Sequence, residues 1–239
     1  MKLRSAILII AVIIIVDQAL KIWIKTSYPL GEVMKVFGSG EGRDFNGFKL
    51  YFVENPGMAW GMRFWGENGK LVLTIFRLLA VIFGTWYLGR IIRQQYSRGF
   101  VICASLIYAG ALGNLIDSMF YGLIFDKGMT FNASLNDYVD YAGIAQFSGN
   151  GYNSFLYGNV VDMLYFPIIR SSFPDWLPWV GGKEFEFFSP IFNIADASIS
   201  IGVITLLLFQ KRLVRKHEPD SPPQTVTTST EQSDRAEVM

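Results

Sequence analysis

The sequence predicts an all-α membrane protein with four transmembrane helices, a small extracytoplasmic β-sheet and an extended extracytoplasmic loop. The chain has 239 residues, and 51% of them are apolar or aromatic. Its mean hydropathy is +0.31 and its formal net charge is +1. This composition is typical of a multi-span membrane protein, and the near-neutral charge argues against nucleic acid as a partner.

Four apolar runs approach the roughly 20 residues that a helix needs to cross the hydrocarbon core of a bilayer. They cover residues 6–24, 71–89, 100–116 and 191–209. Backbone polar groups in lipid must be hydrogen-bonded within the segment, so each run is predicted to be helical. No small-residue cleavage site follows the first run, which we therefore interpret as an uncleaved span.

Lysine and arginine collect at one end of these runs. The clusters are Lys2 and Arg4, then Arg90, Arg93 and Arg98, then Lys211, Arg212, Arg215 and Lys216. Short cytoplasmic loops are enriched in basic residues, so this asymmetry predicts that both termini are cytoplasmic. Residues 25–70 and 117–190 then lie outside the cytoplasm, and Asp17, Asp117, Asp162 and Asp196 share the outer leaflet.

The two outer segments differ in pattern. Residues 48–54 alternate apolar and polar side chains and end at the turn sequence Asn55-Pro56-Gly57, which predicts a strand in a small sheet. Residues 122–157 are rich in Gly, Asn, Phe and Tyr and are interpreted as a loop or insertion. Trp176 and Trp179 suit an interfacial belt or a substrate-facing surface.

The domain prediction is a four-helix membrane domain over residues 1–216, followed by a tail over 217–239. The tail contains Pro222-Pro223 and many Thr, Ser, Glu and Asp residues, and it is predicted to be disordered and cytoplasmic.

Few catalytic chemistries fit this chain. The one histidine, His217, lies in the polar tail, which argues against a Ser-His-Asp triad. The one cysteine, Cys103, lies within an apolar run with no histidine near it in sequence, which argues against a Cys-His nucleophile and a His/Cys zinc site. Carboxylates, lysines, hydroxyls and amides remain, and no metal or organic cofactor is implied.

Two spacings place an amide and a carboxylate one helical turn apart. Asn193-x-x-Asp196 begins the fourth run, and Asn114-x-x-Asp117 ends the third. Each pair suits either helix capping and helix–helix hydrogen bonding, or a polar site inside the bundle.

Asp162 lies between apolar residues, Val160-Val161 before it and Met163-Leu164 after it. It is either an interfacial aspartate exposed to water or one half of a dyad with Asp196. Two neighbouring carboxylates share a proton, and such a pair can activate water and protonate a reacting carbonyl or amide.

Three other functions stay open at this point. Intramembrane carboxylates also relay protons in carriers and channels. Lys21 with Ser27 or Ser118 would suit a Ser-Lys peptidase. Polar side chains that only hold helices together would suit an assembly subunit without catalytic activity.

The chain resembles a known family, the bacterial lipoprotein signal peptidases or signal peptidase II, which are aspartic proteases. The resemblance is carried by five motifs in order: Asp17-Gln18-x-x-Lys21, Glu54-Asn55-Pro56-Gly57-Met58-Ala59-Trp60-Gly61, Gly110-Ala111-Leu112-Gly113-Asn114-Leu115-Ile116-Asp117, Val160-Val161-Asp162 and Phe192-Asn193-Ile194-Ala195-Asp196.

The resemblance implies that Asp162 and Asp196 are the catalytic pair. It implies supporting or substrate-holding roles for Asp17, Lys21, Asn55, Gly57, Asn114, Asp117 and Asn193. The implied substrate is a diacylglyceryl-modified prolipoprotein in membrane lipid, cut just before its lipid-bearing cysteine, and globomycin is the implied inhibitor. The expected location is the bacterial inner membrane, with a monomer as the active form.

Three features depart from the family pattern. The family usually has arginine directly after the third motif's aspartate, and this chain has Ser118 there. Arg77, in the second apolar run, is either a replacement cation for that site or a side chain that snorkels to the interface. The stretch between Asp117 and Asp162 is much longer than usual and is expected to form either a lid or an unrelated loop. Met58 and Trp60 replace the more common alanine and phenylalanine.

Overall fold

The computed structural model describes residues 1–39, 46–57, 66–166, 169–172, 174, 176–179, 181–182, 184–187 and 190–214. The predicted tail over 217–239 lies outside the described residues. So do Met58 and Trp60, and Arg215 and Lys216 of the last basic cluster.

Within the described part of the chain, four helices are long and apolar enough to cross a membrane. They are α1 (Leu3–Ser27), α2 (Gly66–Arg93), α3 (Arg98–Ile124) and α4 (Ile194–Leu213). The four-span prediction is confirmed, and the protein is a multi-pass membrane protein.

The helix ends differ from the apolar runs. Helix α3 continues from the predicted end at 116 to Ile124, because the polar pair Asp117 and Ser118 is buried against other helices rather than solvated. Helix α4 begins at Ile194 rather than 191, because Ile191 and Phe192 pair with a strand instead. An apolar run shows which residues lie in lipid. It does not show where a helix begins or ends when the residues at that end are polar and buried in protein.

The outer segments form an antiparallel sheet of four strands in the order β1-β2-β5-β8. Its strands are β1 (Val33–Ser39), β2 (Asn46–Asn55), β5 (Val160–Tyr165) and β8 (Ile191–Phe192). The predicted strand over 48–54 is therefore confirmed as β2. Central strand β5 is buried at all six positions, which explains why apolar residues flank Asp162 on both sides.

Two small hairpins are also formed by the described residues of the outer region. Strands β3 (Thr130–Asn132) and β4 (Asp137–Val139) pair within the insertion, and β6 (Ile169–Ser172) pairs with β7 (Glu184–Phe187). The insertion predicted over 122–157 therefore begins as the last turn of α3 and contains a hairpin of its own. Trp176 and Trp179 lie between β6 and β7, and both side chains are exposed.

The bundle has an apolar core at each end. One core joins Ile24, Phe52, Tyr121 and Phe125 beneath the sheet. The other joins Ala6, Ile91 and Phe100, with Leu213 packed against them, so the basic helix ends lie together. Half of the most apolar stretch of α3 is buried, against 17% for each of the other three helices, which makes α3 the central helix.

Close packing of α3 against α4 depends on small residues. A Cβ at Gly110 would lie 2.6 Å from Ile199 Cγ1 and 2.7 Å from Ser198 Oγ. Ser198 Oγ in turn donates a hydrogen bond to the backbone oxygen of Leu106 at 3.1 Å. The two backbones approach closely one turn from Asn114, so this contact sets the spacing of the polar residues above it.

We expect Gly110→Ala to destabilise the protein by about 1–3 kcal/mol, because the added methyl overpacks the contact between α3 and α4. The measurement is thermal unfolding in detergent micelles. Gly89→Ala is the matched control, since nothing lies within 4 Å of a Cβ at that helical glycine. Equal stability of the two variants would contradict this account of the helix contact.

Candidate active site

A buried ion triad lies beneath the sheet, between α1 and α3. Lys21 Nζ lies 2.8 Å from Asp17 Oδ2 and 2.8 Å from Asp117 Oδ2. All three side chains are at most 1% exposed. Removing one partner from a buried ion pair leaves an uncompensated charge and typically costs about 3–5 kcal/mol, so the triad fixes α1 against α3.

Amides and backbone groups satisfy the remaining triad oxygens. Gln18 Nε2 donates to Asp117 Oδ1 at 2.7 Å, and Tyr121 OH donates to Gln18 Oε1 at 3.1 Å. The backbone N–H of Ala195, in the first turn of α4, donates to Asp17 Oδ1 at 2.9 Å. A carboxylate at a helix N-terminus is favoured by the orphan N–H groups and by the helix dipole. The triad therefore also positions the start of α4.

Two asparagine amides connect the triad to the predicted dyad. Asn114 Oδ1 accepts from Lys21 Nζ at 3.0 Å, and Asn114 Nδ2 donates to Asp196 Oδ1 at 2.7 Å. Asn193 Nδ2 donates to Asp162 Oδ1 at 2.7 Å and to Asn114 Oδ1 at 3.1 Å. The structure thus brings Asp162 and Asp196 into one hydrogen-bonded network.

Asn193-x-x-Asp196 serves both as a helix cap and as part of a polar site inside the bundle, which are the two interpretations offered by its spacing. Asn193 is the N-cap of α4 and forms a capping box with Asp196, whose backbone N–H donates to Asn193 Oδ1 at 2.8 Å. The same Asn193 uses its Nδ2 group for Asp162. The side-chain oxygen of Asn193 therefore caps helix α4, and its side-chain nitrogen holds Asp162.

Asp162 lies in the middle of β5 with only 5% of its surface exposed. Burial, followed by the neighbouring charge of Asp196, raises the pKa of Asp162 to about 8, although the hydrogen bond from Asn193 opposes that shift. The expectation of a water-exposed aspartate is therefore wrong for Asp162. At neutral pH its carboxyl holds a proton, which is what an acid partner in a dyad needs.

Asn55 and Gly57 close the end of β2. Asn55 pairs with Val160, and Val53 pairs with Asp162, so strand alternation places Asn55 on the same sheet face as Asp162. Asn55 Oδ1 accepts the backbone N–H of Gly57 at 2.8 Å. Gly57 has φ +100°, a left-handed conformation that suits glycine and lets the chain turn there.

Arg77 reaches the same region from α2. Its Nη1 donates to Ser118 Oγ at 2.7 Å, and Ser118 Oγ donates to the backbone oxygen of Asn114 at 2.9 Å. The guanidinium also interacts electrostatically with Asp117, Asp196 and Asp162. Ser118, which stands where the family usually has arginine, is thus hydrogen-bonded to an arginine of α2. The replacement hypothesis requires such a contact.

Four further polar residues of this region were not predicted as functional candidates: Gln18, Tyr121, Lys25 and Glu54. Glu54 is a buried carboxylate directly after the apolar pair Phe52-Val53, which is the signal that could have identified it. Lys21 hydrogen-bonds Asp17, Asp117 and Asn114, and it has no serine partner among the described residues. This geometry argues against the Ser-Lys alternative.

The fold and the site define a class of protein: a multi-pass membrane protein with a carboxylate pair between its helices and an outer sheet. Comparisons with known proteins narrow the class. The sequence profile of the family described as signal peptidase (SPase) II matches residues 9–211.

Relatives and solved structures agree with this match. A lipoprotein signal peptidase of Porphyromonas gingivalis is 43% identical over 209 residues, which cover 86% of this chain and 82% of that protein. A lipoprotein signal peptidase of Amoebophilus asiaticus is 31% identical over 204 residues, which cover 85% and 76%. A solved structure described as a bacterial membrane enzyme is 25% identical, with a TM-score of 0.50, and the match covers 88% of this chain and 94% of that one. The chain belongs to the signal peptidase II family of aspartic peptidases.

We expect Arg77→Ala to lower kcat/KM for prolipoprotein cleavage by ~10-fold or more, because the polar cluster loses a partly buried cation. Adding Ser118→Arg to that variant should recover part of the loss by supplying a guanidinium from α3. Arg93→Ala, an exposed arginine of the same helix, is the matched control. Full activity of Arg77→Ala, or no recovery in the double variant, would contradict the replacement hypothesis.

Proposed function

We propose that Asp162 and Asp196 are the catalytic pair with which this signal peptidase II removes signal peptides from prolipoproteins. The observation that supports this assignment is the pair of amide hydrogen bonds, from Asn193 to Asp162 and from Asn114 to Asp196. Each carboxylate keeps one oxygen on an amide, and Asp196 Oδ2 also accepts the backbone N–H of Asn193 at 3.4 Å. A carboxylate oxygen has two lone pairs, so Asp196 Oδ2 can accept a further hydrogen bond from water or substrate.

The proposed reaction uses one proton shared by the pair. Water attacks the scissile carbonyl carbon while Asp196 takes a proton from that water, and Asp162 gives its proton to the carbonyl oxygen. The tetrahedral intermediate then breaks its C–N bond. The leaving nitrogen receives the proton held by Asp196, and Asp162 recovers its proton from the hydroxyl as the new carboxyl group forms.

Each carboxyl group has the environment that its role needs. Asp162 is buried within the sheet, where the raised pKa of about 8 keeps it protonated at neutral pH. Asp196 is only partly buried at the start of α4, where its oxygens accept from Asn114 Nδ2 and from the backbone N–H of Asn193. The pair thereby combines an acid with a base, although both members are aspartates.

Substrate binding is proposed on the sheet face that carries Asp162. Asn55 lies on that face and holds the peptide backbone, which orients the scissile bond between the two carboxylates. The substrate is a prolipoprotein whose cysteine already bears a diacylglyceryl group, and the cut falls just before that cysteine. The acyl chains remain in lipid, and the signal helix lies against the bundle.

The proposed location is the bacterial inner membrane, with the dyad near the outer leaflet and both termini cytoplasmic. This orientation is supported by Lys2, Arg4, Arg90, Arg93 and Arg98, which lie at the helix ends opposite the sheet. A monomer is proposed as the active form, because one chain supplies every residue of the pair and its network. Globomycin-type peptides are the proposed inhibitors, with a hydroxyl placed between the carboxylates.

We expect Asp162→Asn and Asp196→Asn each to lower kcat for cleavage of a diacylglyceryl prolipoprotein by at least ~100-fold, because each removes an acid–base group while keeping its size. The measurement is cleavage of purified substrate in detergent micelles. Asp140→Asn, an exposed aspartate on the same side of the bundle, should retain the wild-type rate.

Normal cleavage by either variant at the dyad would refute the assignment. Loss of activity on replacing Ser118, with both aspartates dispensable, would favour a serine peptidase instead. Absence of cleavage by the wild-type protein would instead favour a proton-relaying carrier or an assembly subunit without catalytic activity.

A further inference from the structure

Glu54 is a buried carboxylate that the proposed reaction does not use. It lies in β2 beside Asn55, with 6% of its surface exposed. It pairs with Val161 in the ladder between β2 and β5, one position from the pair formed by Val53 and Asp162. Side chains alternate along a strand, so Glu54 points away from the sheet face that carries Asp162.

Four donors from three parts of the chain converge on this carboxylate. Lys25 Nζ from the last turns of α1 forms an ion pair with Oε1. Tyr141 OH donates to Oε1 at 2.8 Å, and the backbone N–H of Met129 donates to Oε2 at 3.0 Å. Asn159 Nδ2, three residues before Asp162, donates to Oε2 at 2.7 Å. Glu54 therefore connects α1 and the insertion to Asn159, the residue directly before strand β5.

Aromatic rings of the insertion enclose the cation of this pair. Lys25 Nζ lies 5.1 Å from the ring centroid of Phe125, 5.2 Å from that of Tyr141 and 5.3 Å from that of Tyr152. Cations over aromatic faces are attracted by the ring quadrupole, most strongly when they are desolvated. Lys25 is fully buried, so the insertion wraps around the end of α1.

The tyrosine hydroxyls stay protonated and therefore remain donors or neutral acceptors. Burial, followed by the charge of Glu54, raises the pKa of both Tyr141 and Tyr152. Tyr152 OH accepts the backbone N–H of Asn159 at 2.7 Å. Asn159 also donates to the backbone oxygen of Met129 at 2.9 Å and accepts from Lys70 Nζ of α2. The insertion is thereby hydrogen-bonded to Asn159, the residue directly before β5.

These contacts decide between the two expectations for the insertion. A lid would have to separate from the sheet, and that motion would break the hydrogen bonds that Tyr141 OH and the Met129 N–H donate to Glu54 and would remove the aromatic ring of Tyr141 from Lys25. Removing donors from a buried charged group is destabilising, because the charge then loses partners that water does not replace. The insertion also has its own buried residues, Phe125 and Ala145, inside the core beneath the sheet.

We infer that residues 125–158 form a fixed brace behind the sheet, and that Glu54 is the positioning residue that locks this brace to the strand carrying Asp162. Glu54 acts through the β2–β5 ladder, where it holds Asp162 and Asn55 in register on the opposite face. The catalytic part of this inference rests on the proposed role of Asp162, whereas the brace itself does not.

The test compares three variants: Glu54→Gln, Tyr141→Phe and the double variant Lys25→Met/Glu54→Gln. The control is Glu32→Gln, because Glu32 lies in the same outer segment as Glu54 and is exposed. Hydrogen exchange of backbone amides in 125–158 and 160–165 is measured beside kcat and KM. Glu54→Gln should speed exchange in both segments by ~10-fold or more and lower kcat more than KM changes, since small displacements of reacting groups lower rates steeply.

Tyr141→Phe removes one donor and should show a smaller effect of the same kind, which keeps the test informative if Glu54→Gln does not fold. The double variant removes the unpaired charge and should recover part of kcat relative to Glu54→Gln.

Unchanged exchange in 125–158 in both Glu54→Gln and Tyr141→Phe would overturn the brace. Faster exchange with unchanged kcat would overturn the positioning role. Strong protection of 125–158 when a cyclic peptide inhibitor binds to the wild-type protein would instead indicate a lid. Full activity of Asp162→Asn would refute the proposed dyad, and the exchange result would still decide whether the brace exists.

Discussion

The hydrogen bond between the amides of Asn114 and Asn193 is the contact on which the rest of the site depends. It joins the central helix α3 to the N-cap residue of α4, and each amide also holds one carboxylate of the proposed pair. Asn114 further accepts from Lys21, which lies between Asp17 and Asp117. Four aspartates therefore share one network, in which each carboxylate meets a cation or an amide. Buried charge next to lipid requires such pairing, because an isolated carboxylate there is costly.

The fold supplies the geometry for this network. Gly110 and Gly113 let α3 approach α4, and a Cβ at Gly113 would lie 3.0 Å from Asp17 Oδ2. The sheet then delivers Asp162 from outside the bundle, on a strand whose N–H at Val161 reaches Asp117 Oδ2 at 3.4 Å. Helices and sheet thus meet at the carboxylates, and neither part alone contains the site.

Much of this arrangement could be predicted from the sequence, because apolar runs and charged loop ends report directly on burial in lipid. The four spans, strand β2 and the grouping of Asp17, Lys21, Asn114, Asp117 and Asn193 follow from such patterns and from the ordered motifs. The convergence of Asp162 with Asp196 was predicted, whereas the individual hydrogen bonds from Asn193 to Asp162 and from Asn114 to Asp196 were not.

Other features depend on contacts between distant parts of the chain, which periodicity does not report. Helix α3 extends past its apolar run because Asp117 and Ser118 find partners on α1 and α2. The insertion has a loop-like composition, yet Phe125, Tyr141 and Tyr152 pack around Lys25. The pairing of Glu54 with Lys25 spans 29 positions in sequence and joins a strand to a helix.

The central claim is that Asp162 and Asp196 are electrostatically coupled and share one proton. The most direct measurement is the titration of the Asp162 carboxyl carbon by NMR in detergent micelles, in the wild-type protein and in Asp196→Asn. The account predicts a pKa of about 8 in the wild type. In the variant the pKa should be lower, because the charge of Asp196 is gone, and still above the ordinary aspartate value, because the side chain stays buried. An ordinary pKa in the wild-type protein, or the same pKa in both proteins, would contradict the account.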